Sequence, residues 1–283
     1  MLRDKAMRSP YSGSQAGFTL LEMILVMVIT GILGGMVAMF IQRPISMYVD
    51  SVRRAELTDV ADTAVRRIAR DLQGALPNSV RIDGTGKFIE FVPVMAAGRY
   101  RADPGTNAAD DVLDFGLASD NSFDVLGPAI NINAGESLVV YNLGIAGASA
   151  YDSPLTNRRL ATAGTGLSKL TFTTTGSRLP FSSPNSRFQI VSTPVTYACD
   201  LSTGTLWRYS GYGFQATQPA SLATLNGFSG VTKAVLATHL GAFCSFTYNS
   251  VLQQNGLVSI SLSFTMSGES VQLLHQVNVD NVP

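Results

Sequence analysis

The chain has 283 residues, enough for one large domain or two small ones, with 20 basic and 20 acidic side chains and charge on only 14% of positions. Beyond residue 76 there are 11 Lys/Arg against 13 Asp/Glu, a balance that excludes a nucleic-acid surface. Two cysteines and two histidines leave little material for a metal or thiol centre.

The first element is a short basic leader, residues 1–17, with Arg3, Lys5 and Arg8 against Asp4. From Phe18 to Phe40 follow 23 residues whose one formal charge is Glu22. At about 1.5 Å per residue this run reaches about 35 Å, enough to cross a hydrocarbon core of about 30 Å. A secretory signal would have a shorter apolar core closed by small residues. Here Phe40-Ile41-Gln42-Arg43 follows instead. A plain signal anchor fits the length and the basic flank, which stays in the cytoplasm. It gives no reason for Glu22, since an intramembrane carboxylate costs several kcal/mol without a partner.

Residues 44–76 continue the helix as an amphipathic half. Ile45, Val49, Val52, Leu57, Val60, Ala64, Val65, Ile68, Leu72 and Leu76 recur at steps of three and four. Opposite them lie Arg53, Arg54, Glu56, Asp59, Asp62, Arg66, Arg67, Arg70 and Asp71, with Asp62–Arg66 and Arg67–Asp71 at i,i+4. Pro44 is expected to kink or divide the helix, and Gly74 with Pro77 to end it.

From Val80 the period changes to two. Expected strands are 87–94, 138–143, 170–174, 188–191, 195–199, 205–209 and 244–248. Val258, Ile260, Leu262, Phe264 and Met266, a turn at Ser267-Gly268-Glu269, and Val271, Leu273, Val277 and Val279 predict a hairpin with one buried face. Segments 102–112, 144–166 and 211–231 read as long loops. The expected fold class is α+β: a long N-terminal helix, its first half (18–43) spanning the membrane and its second half (44–76) packed on a β-rich antiparallel head, 77–283.

Chemistry is sparse. There is no G-x-S-x-G, and Gly84-Thr85-Gly86-Lys87 lacks phosphate-loop spacing. His275 falls in the apolar phase of its strand and is expected to be buried or at an interface. His239 has no ligand-spaced neighbour. Asp103, Asp110, Asp111, Asp114, Asp120 and Asp124 supply hard oxygens, yet their spacing is not that of a calcium loop and Asp is a common turn residue. No metal and no cofactor are expected. Trp207, Tyr209 and Tyr212 could form a sugar platform, although a packed aromatic core is the simpler use. With the basic end inside, the head lies across the membrane in an oxidising compartment. Cys199 and Cys244 can bond there, or stand as two buried thiols.

Gly17-Phe18-Thr19-Leu20-Leu21-Glu22 resembles the processing motif of type IV prepilins. The resemblance implies leader cleavage between Gly17 and Phe18 by a prepilin peptidase, which also methylates the new amine of Phe18, and an assembly role for Glu22. That amine could neutralise the carboxylate of a neighbouring subunit. Further segments resemble the MshO family of minor pilins from mannose-sensitive haemagglutinin (MSHA) pili. They are Arg99-Tyr100-Arg101, Leu113-Asp114-Phe115-Gly116, Ser122-Phe123-Asp124-Val125-Leu126-Gly127, Tyr197-Ala198-Cys199-Asp200, Leu206-Trp207-Arg208-Tyr209 and Cys244-Ser245-Phe246-Thr247-Tyr248. The tail from Leu274 to Pro283 is similar too, except that Asn278 stands where a second histidine is expected.

What this implies is a non-enzymatic assembly protein. Its partners would be other minor pilins, the major pilin, the inner-membrane platform and lipid. The implied location is the inner membrane, with a periplasmic head and a place in the filament, at its tip. The J-type minor pseudopilin of type II secretion shares the motif and the architecture. A membrane-anchored adhesin that never enters a filament is the reading from another class.

Overall fold

The computed structural model describes residues 17–252 and 255–283; the basic leader ahead of Gly17 lies outside them. The chain forms two compact units, residues 1–52 and 53–283. One helix, α1, is continuous from Leu20 to Gln73, and Pro44 sits inside it without ending it.

Among the described residues sixteen strands and one short helix follow. In chain order they are β1 (Arg81–Ile82), β2 (Phe88–Phe91), β3 (Val94–Tyr100), β4 (Ser122–Leu126), β5 (Ile130–Ile132), β6 (Ser137–Val139), β7 (Arg158–Leu160) and β8 (Gly164–Leu167). Then come β9 (Lys169–Thr171), β10 (Arg187–Val191), β11 (Val195–Asp200), β12 (Thr205–Ser210), α2 (Leu222–Gly227), β13 (Thr232–Ala237), β14 (Leu240–Leu252), β15 (Asn255–Met266) and β16 (Glu269–Asp280). They build sheets of order β1-β2-β11-β12-β13, β7-β6-β10-β3-β4-β9, β14-β15-β16 and β5-β8. Every pairing is antiparallel. The fold is therefore α+β, a long apolar-started helix followed by a β-rich antiparallel domain, consistent with a pilin-like fold.

In the second unit the helix buries Leu57, Ala61, Ala64, Val65, Ile68 and Leu72. They share one core with Phe91 and Tyr197 of the five-stranded sheet and with Phe246, Ile260 and Phe264 of the three-stranded one. Each fully buried Leu, Ile or Val contributes about 1.5–3 kcal/mol. The small side chains of Ala61 and Ala64 let the helix approach the strands closely. The apolar stripe is longer than its buried part: Ile45, Val49 and Val52 remain exposed. On the solvent side the two expected ion pairs form, Arg66–Asp62 at 2.6 Å and Arg67–Asp71 at 3.1 Å.

Helix α1 ends one residue before Gly74 and is spliced directly into the sheets. The Leu76 amide donates to Val92 O at 2.7 Å, and the Val94 amide to Gly74 O at 3.0 Å. The expected strand 87–94 is divided here. Pro93 has no N–H for a ladder, so β2 stops at Phe91 and the chain re-enters a different sheet as β3. The strand expected over 138–143 stops at Val139 because Tyr141 has φ 52°, a left-handed conformation incompatible with a pleat. The hairpin turn has positive φ at both Ser267 (51°) and Gly268 (89°), which matches the twist of a two-residue β-hairpin loop.

Two expected loops hold structure. Segment 144–166 contains β7 and most of β8, and 211–231 contains α2, capped by Ser221 Oγ accepting the Thr224 amide at 3.0 Å.

Candidate functional site

The first unit begins on a helix cap. Thr19 Oγ1 accepts the Glu22 amide at 3.3 Å, and Thr19 O accepts the amides of Glu22 and Met23 at 3.1 and 3.2 Å. The sequence Thr19-Leu20-Leu21-Glu22 thus has the S/T-x-x-E form of a capping box. It places the Glu22 carboxylate in the first turn, where the positive end of the helix dipole favours a negative charge. Glu22 therefore has a local structural use besides any assembly role.

Leu20–Ile41 is a 22-residue stretch of mean hydropathy 2.6 with no buried position, long and apolar enough to cross a membrane. It is hydrophobic all round, which suits lipid better than a groove in a soluble core. Thr30, its hydroxyl-bearing residue, donates back to Val26 O at 2.6 Å, so that hydroxyl is satisfied within the helix. At Gly31, Gly34 and Gly35 a Cβ would meet nothing, which leaves a smooth strip open to close backbone approach.

In the head, Cys199 on β11 and Cys244 on β14 form a disulfide with Cα atoms 6.4 Å apart. It joins the five-stranded and three-stranded sheets inside the core that holds the helix.

Asp110, Asp111, Asp114, Asp120 and Asp124 are engaged in turns and ion pairs. Asp110 and Asp124 face Arg101 at 3.5 and 3.1 Å, and Asp111 holds Lys169 at 2.8 Å and Ser122 at 2.6 Å. Asp120 accepts the Asp114 amide, and Asp114 accepts the Gly116 amide, both at 2.6 Å. Among the described residues no group of three or more His, Cys, Asp or Glu side chains is arranged to hold a metal ion.

His275 is exposed, which removes the buried alternative of the expectation and leaves the interface one. It shares the phase of Val277 and Val279 on the edge strand β16, opposite the fully buried Ile260. His239 is in a left-handed turn (φ 63°) with Nδ1 3.1 Å from Thr238 Oγ1. Of the aromatic trio, Tyr209 and Tyr212 are buried. Trp207 is half-buried against the small core of Phe88, Ala198, Tyr209, Tyr212 and Leu225, with Lys233 Nζ 5.0 Å from its ring centre. That is a small core rather than an open platform.

One cluster escaped the sequence reading. Glu90 on β2 is fully buried, paired with Arg81 Nε, and accepts the Tyr212 hydroxyl at 2.7 Å. Tyr212 Oη also lies 2.7 Å from Thr196 Oγ1. Burial pushes the Glu90 carboxyl above its ordinary 4.5, against the opposing pull of Arg81 and Tyr212. Burial and the neighbouring Glu90 push the Tyr212 phenol up strongly. Arg81 spends its remaining N–H groups on the carbonyls of Gln215 and Ala216 and lies over the Tyr151 ring at 3.7 Å. It borders a polar cleft of about 400 Å³ with Asn78, Ser149, Tyr151 and Asp152. Every charged group of the cluster is answered from within, so it reads as an internal clamp. The one local hint was an acid inside the apolar run Phe88-Ile89-Glu90-Phe91; its partners lie far off in sequence.

Residues 13–38 match the prokaryotic N-terminal methylation motif. The N-terminus is type IV pilin-like. The match covers Gly17, Phe18, the Thr19 cap, Glu22 and most of the apolar helix, and such a motif implies processing by a prepilin peptidase and pilin assembly. With the membrane-length helix Leu20–Ile41, the one such helix among the described residues, it supports a pilin-like or pseudopilin protein with a single-pass anchor. Comparison with curated proteins and with solved structures gives no match.

Proposed function

We propose that this chain is a minor pilin of an MSHA-type type IV pilus that works by contact and not by catalysis. Its leader is removed after Gly17, Phe18 is methylated, and Glu22 docks against the terminal amine of a neighbouring subunit within the membrane. The supporting observation is the placement of Glu22. It is the one acid in a 22-residue membrane-length helix, one turn from the Gly17–Phe18 junction, inside a matched methylation motif. An unpaired carboxylate there costs several kcal/mol, and a neighbour's ammonium group removes that cost.

The head of residues 77–283 is bulky for a repeating shaft. It suits a filament tip or a priming complex, on the periplasmic side of the inner membrane. The MSHA assignment rests on the resemblance of the ordered head segments from Arg99 to Pro283.

The test is crosslinking of the tagged chain in native membranes, with identification of what is captured. MSHA pilin and other minor pilins are the expected partners. Secretion pseudopilins would move the chain to type II secretion, and capture of neither set would favour a free-standing adhesin.

A further inference from the structure

Three arginines meet at the end of α1 around a single carboxylate. Arg67 and Arg70 stand in the last two turns of the helix, and Arg208 on β12 shares Asp71 with Arg67. With a floor of Phe91 and Pro93 they line a hollow of about 210 Å³. Among the described residues its charged lining is three guanidinium groups against one carboxylate.

Asp71 is fully engaged. Its Oδ1 accepts Arg67 Nε at 3.1 Å, and its Oδ2 accepts the Tyr197 hydroxyl at 2.7 Å and Arg208 Nε at 3.4 Å. Two arginines are thus tethered through Nε, and the two-pronged Nη end of Arg67 meets no acceptor among the described residues. Arg70 makes no side-chain hydrogen bond or ion pair among them. Basic residues at a helix end often serve its last carbonyls. Here backbone amides do that work. Arg70 O, Leu72 O and Gly74 O accept the amides of Gly74, Ala75 and Val94 at 3.3, 3.1 and 3.0 Å. The arginine side chains are left for something else.

We propose that this hollow binds a dianionic phosphate group, free or carried as a monoester. Size, charge and geometry each select it. Ligand pockets for larger molecules run to about 300–1,000 Å³, so this smaller hollow admits one compact group. A phosphate carries about −1.5 to −2 near neutral pH, which offsets the excess of two positive charges in the lining. Planar guanidinium forks match its oxygens two at a time. Because Asp71 already holds Arg67 and Arg208, little side-chain freedom is lost on binding. This binding is separate from the assembly role above.

The test is isothermal titration calorimetry of the full chain, disulfide intact, in uncharged phosphate-free detergent at fixed ionic strength. Sodium phosphate and glucose 6-phosphate are the probes. One saturable site is expected; equal affinities mark free phosphate, and tighter binding of the ester marks an esterified group. Arg70→Gln weakens binding about ten-fold, the loss of one charge-assisted hydrogen bond. It leaves the Tm in chloride buffer unchanged, since Arg70 holds no other side chain. Arg66→Gln makes the same charge change on the same helix, but Arg66 pairs with Asp62 outside the hollow, so affinity is unchanged. No saturable binding of either probe overturns the proposal. So does equal weakening by both variants, or competition by chloride as strong as by phosphate, each of which marks a general attraction of anions.

Discussion

The hydroxyl of Tyr197, in the middle of β11, donates to Asp71 Oδ2 in the last turn of α1 at 2.7 Å. The same carboxylate holds Arg67 at 3.1 Å and Arg208 at 3.4 Å. One acid near the helix end therefore fastens the helix to two adjacent strands of the five-stranded sheet. Burial, and then Asp71, raise the Tyr197 phenol well above its ordinary range, so it stays a donor.

Tyr197→Phe removes that bond and keeps the ring in the core. The expected loss is about 1–2 kcal/mol, seen as a fall of a few degrees in the Tm of the isolated chain. An unchanged Tm would mean that the two arginines alone hold Asp71.

Removing the bridge by Cys199→Ala with Cys244→Ala is expected to cost more. The separation of 45 residues gives about 4 kcal/mol on the chain-entropy model, an upper figure. A drop on the order of 10 °C in Tm should result, and the same drop on reduction of the natural chain.

Glu90 makes stability depend on pH with an unusual sign. Its carboxyl is raised above 4.5 in the folded chain, so the protonated form is the one the fold prefers. Its contribution is fully present below about 4.5 and is lost as pH rises towards the raised folded value. Glu90→Gln removes this limb. Plotted against pH above 4.5, the Tm of the natural chain should fall relative to that of the variant, and parallel curves would contradict the assignment.

Asp83 acts in the opposite direction. Burial raises its pKa, but the Thr85 hydroxyl and the amides of Phe88, Thr85 and Lys87 outweigh it, and the net shift is downward from 3.8. That contribution is present above 3.8 and is lost as pH falls below it. Asp83→Asn should flatten the acid side of the stability curve and leave the neutral side displaced by about 1–2 kcal/mol.

Gly98 pairs with Phe188 across β3 and β10, and a Cβ at this position would lie 2.8 Å from the Phe188 ring. Gly98→Ala should therefore overpack the cluster of buried side chains in which Phe188 meets Phe123 at 5.1 Å between ring centres. A loss of about 1–3 kcal/mol is expected by thermal melting.

Much of this architecture is legible in the sequence because it is local. Leu57 to Leu72 recur at helical spacing, and the 258–279 hairpin alternates around a Ser-Gly turn that admits one loop type. The cap Thr19 and the acid Glu22 stand three residues apart. What stayed hidden depends on distant partners. Strand β4 (Ser-Phe-Asp-Val-Leu) exists because Asp124 meets Arg101 and Phe123 enters an aromatic cluster, neither visible from five residues. Strand β13 is almost wholly exposed, so its backbone pairing with β12 leaves no apolar alternation to read. His275 keeps its expected phase but is exposed, which removes the buried alternative and leaves the interface one, because phase is set by the strand and burial by what packs over it.

The central claim concerns the junction between Gly17 and Phe18, and intact-mass and peptide mass spectrometry of the membrane-extracted protein tests it most directly. The account expects a mature chain that begins at N-methylated Phe18 and includes the apolar helix. A chain from membranes of assembling cells that still carries residues 2–17, or an unmodified Phe18 in an otherwise processed protein, would contradict it.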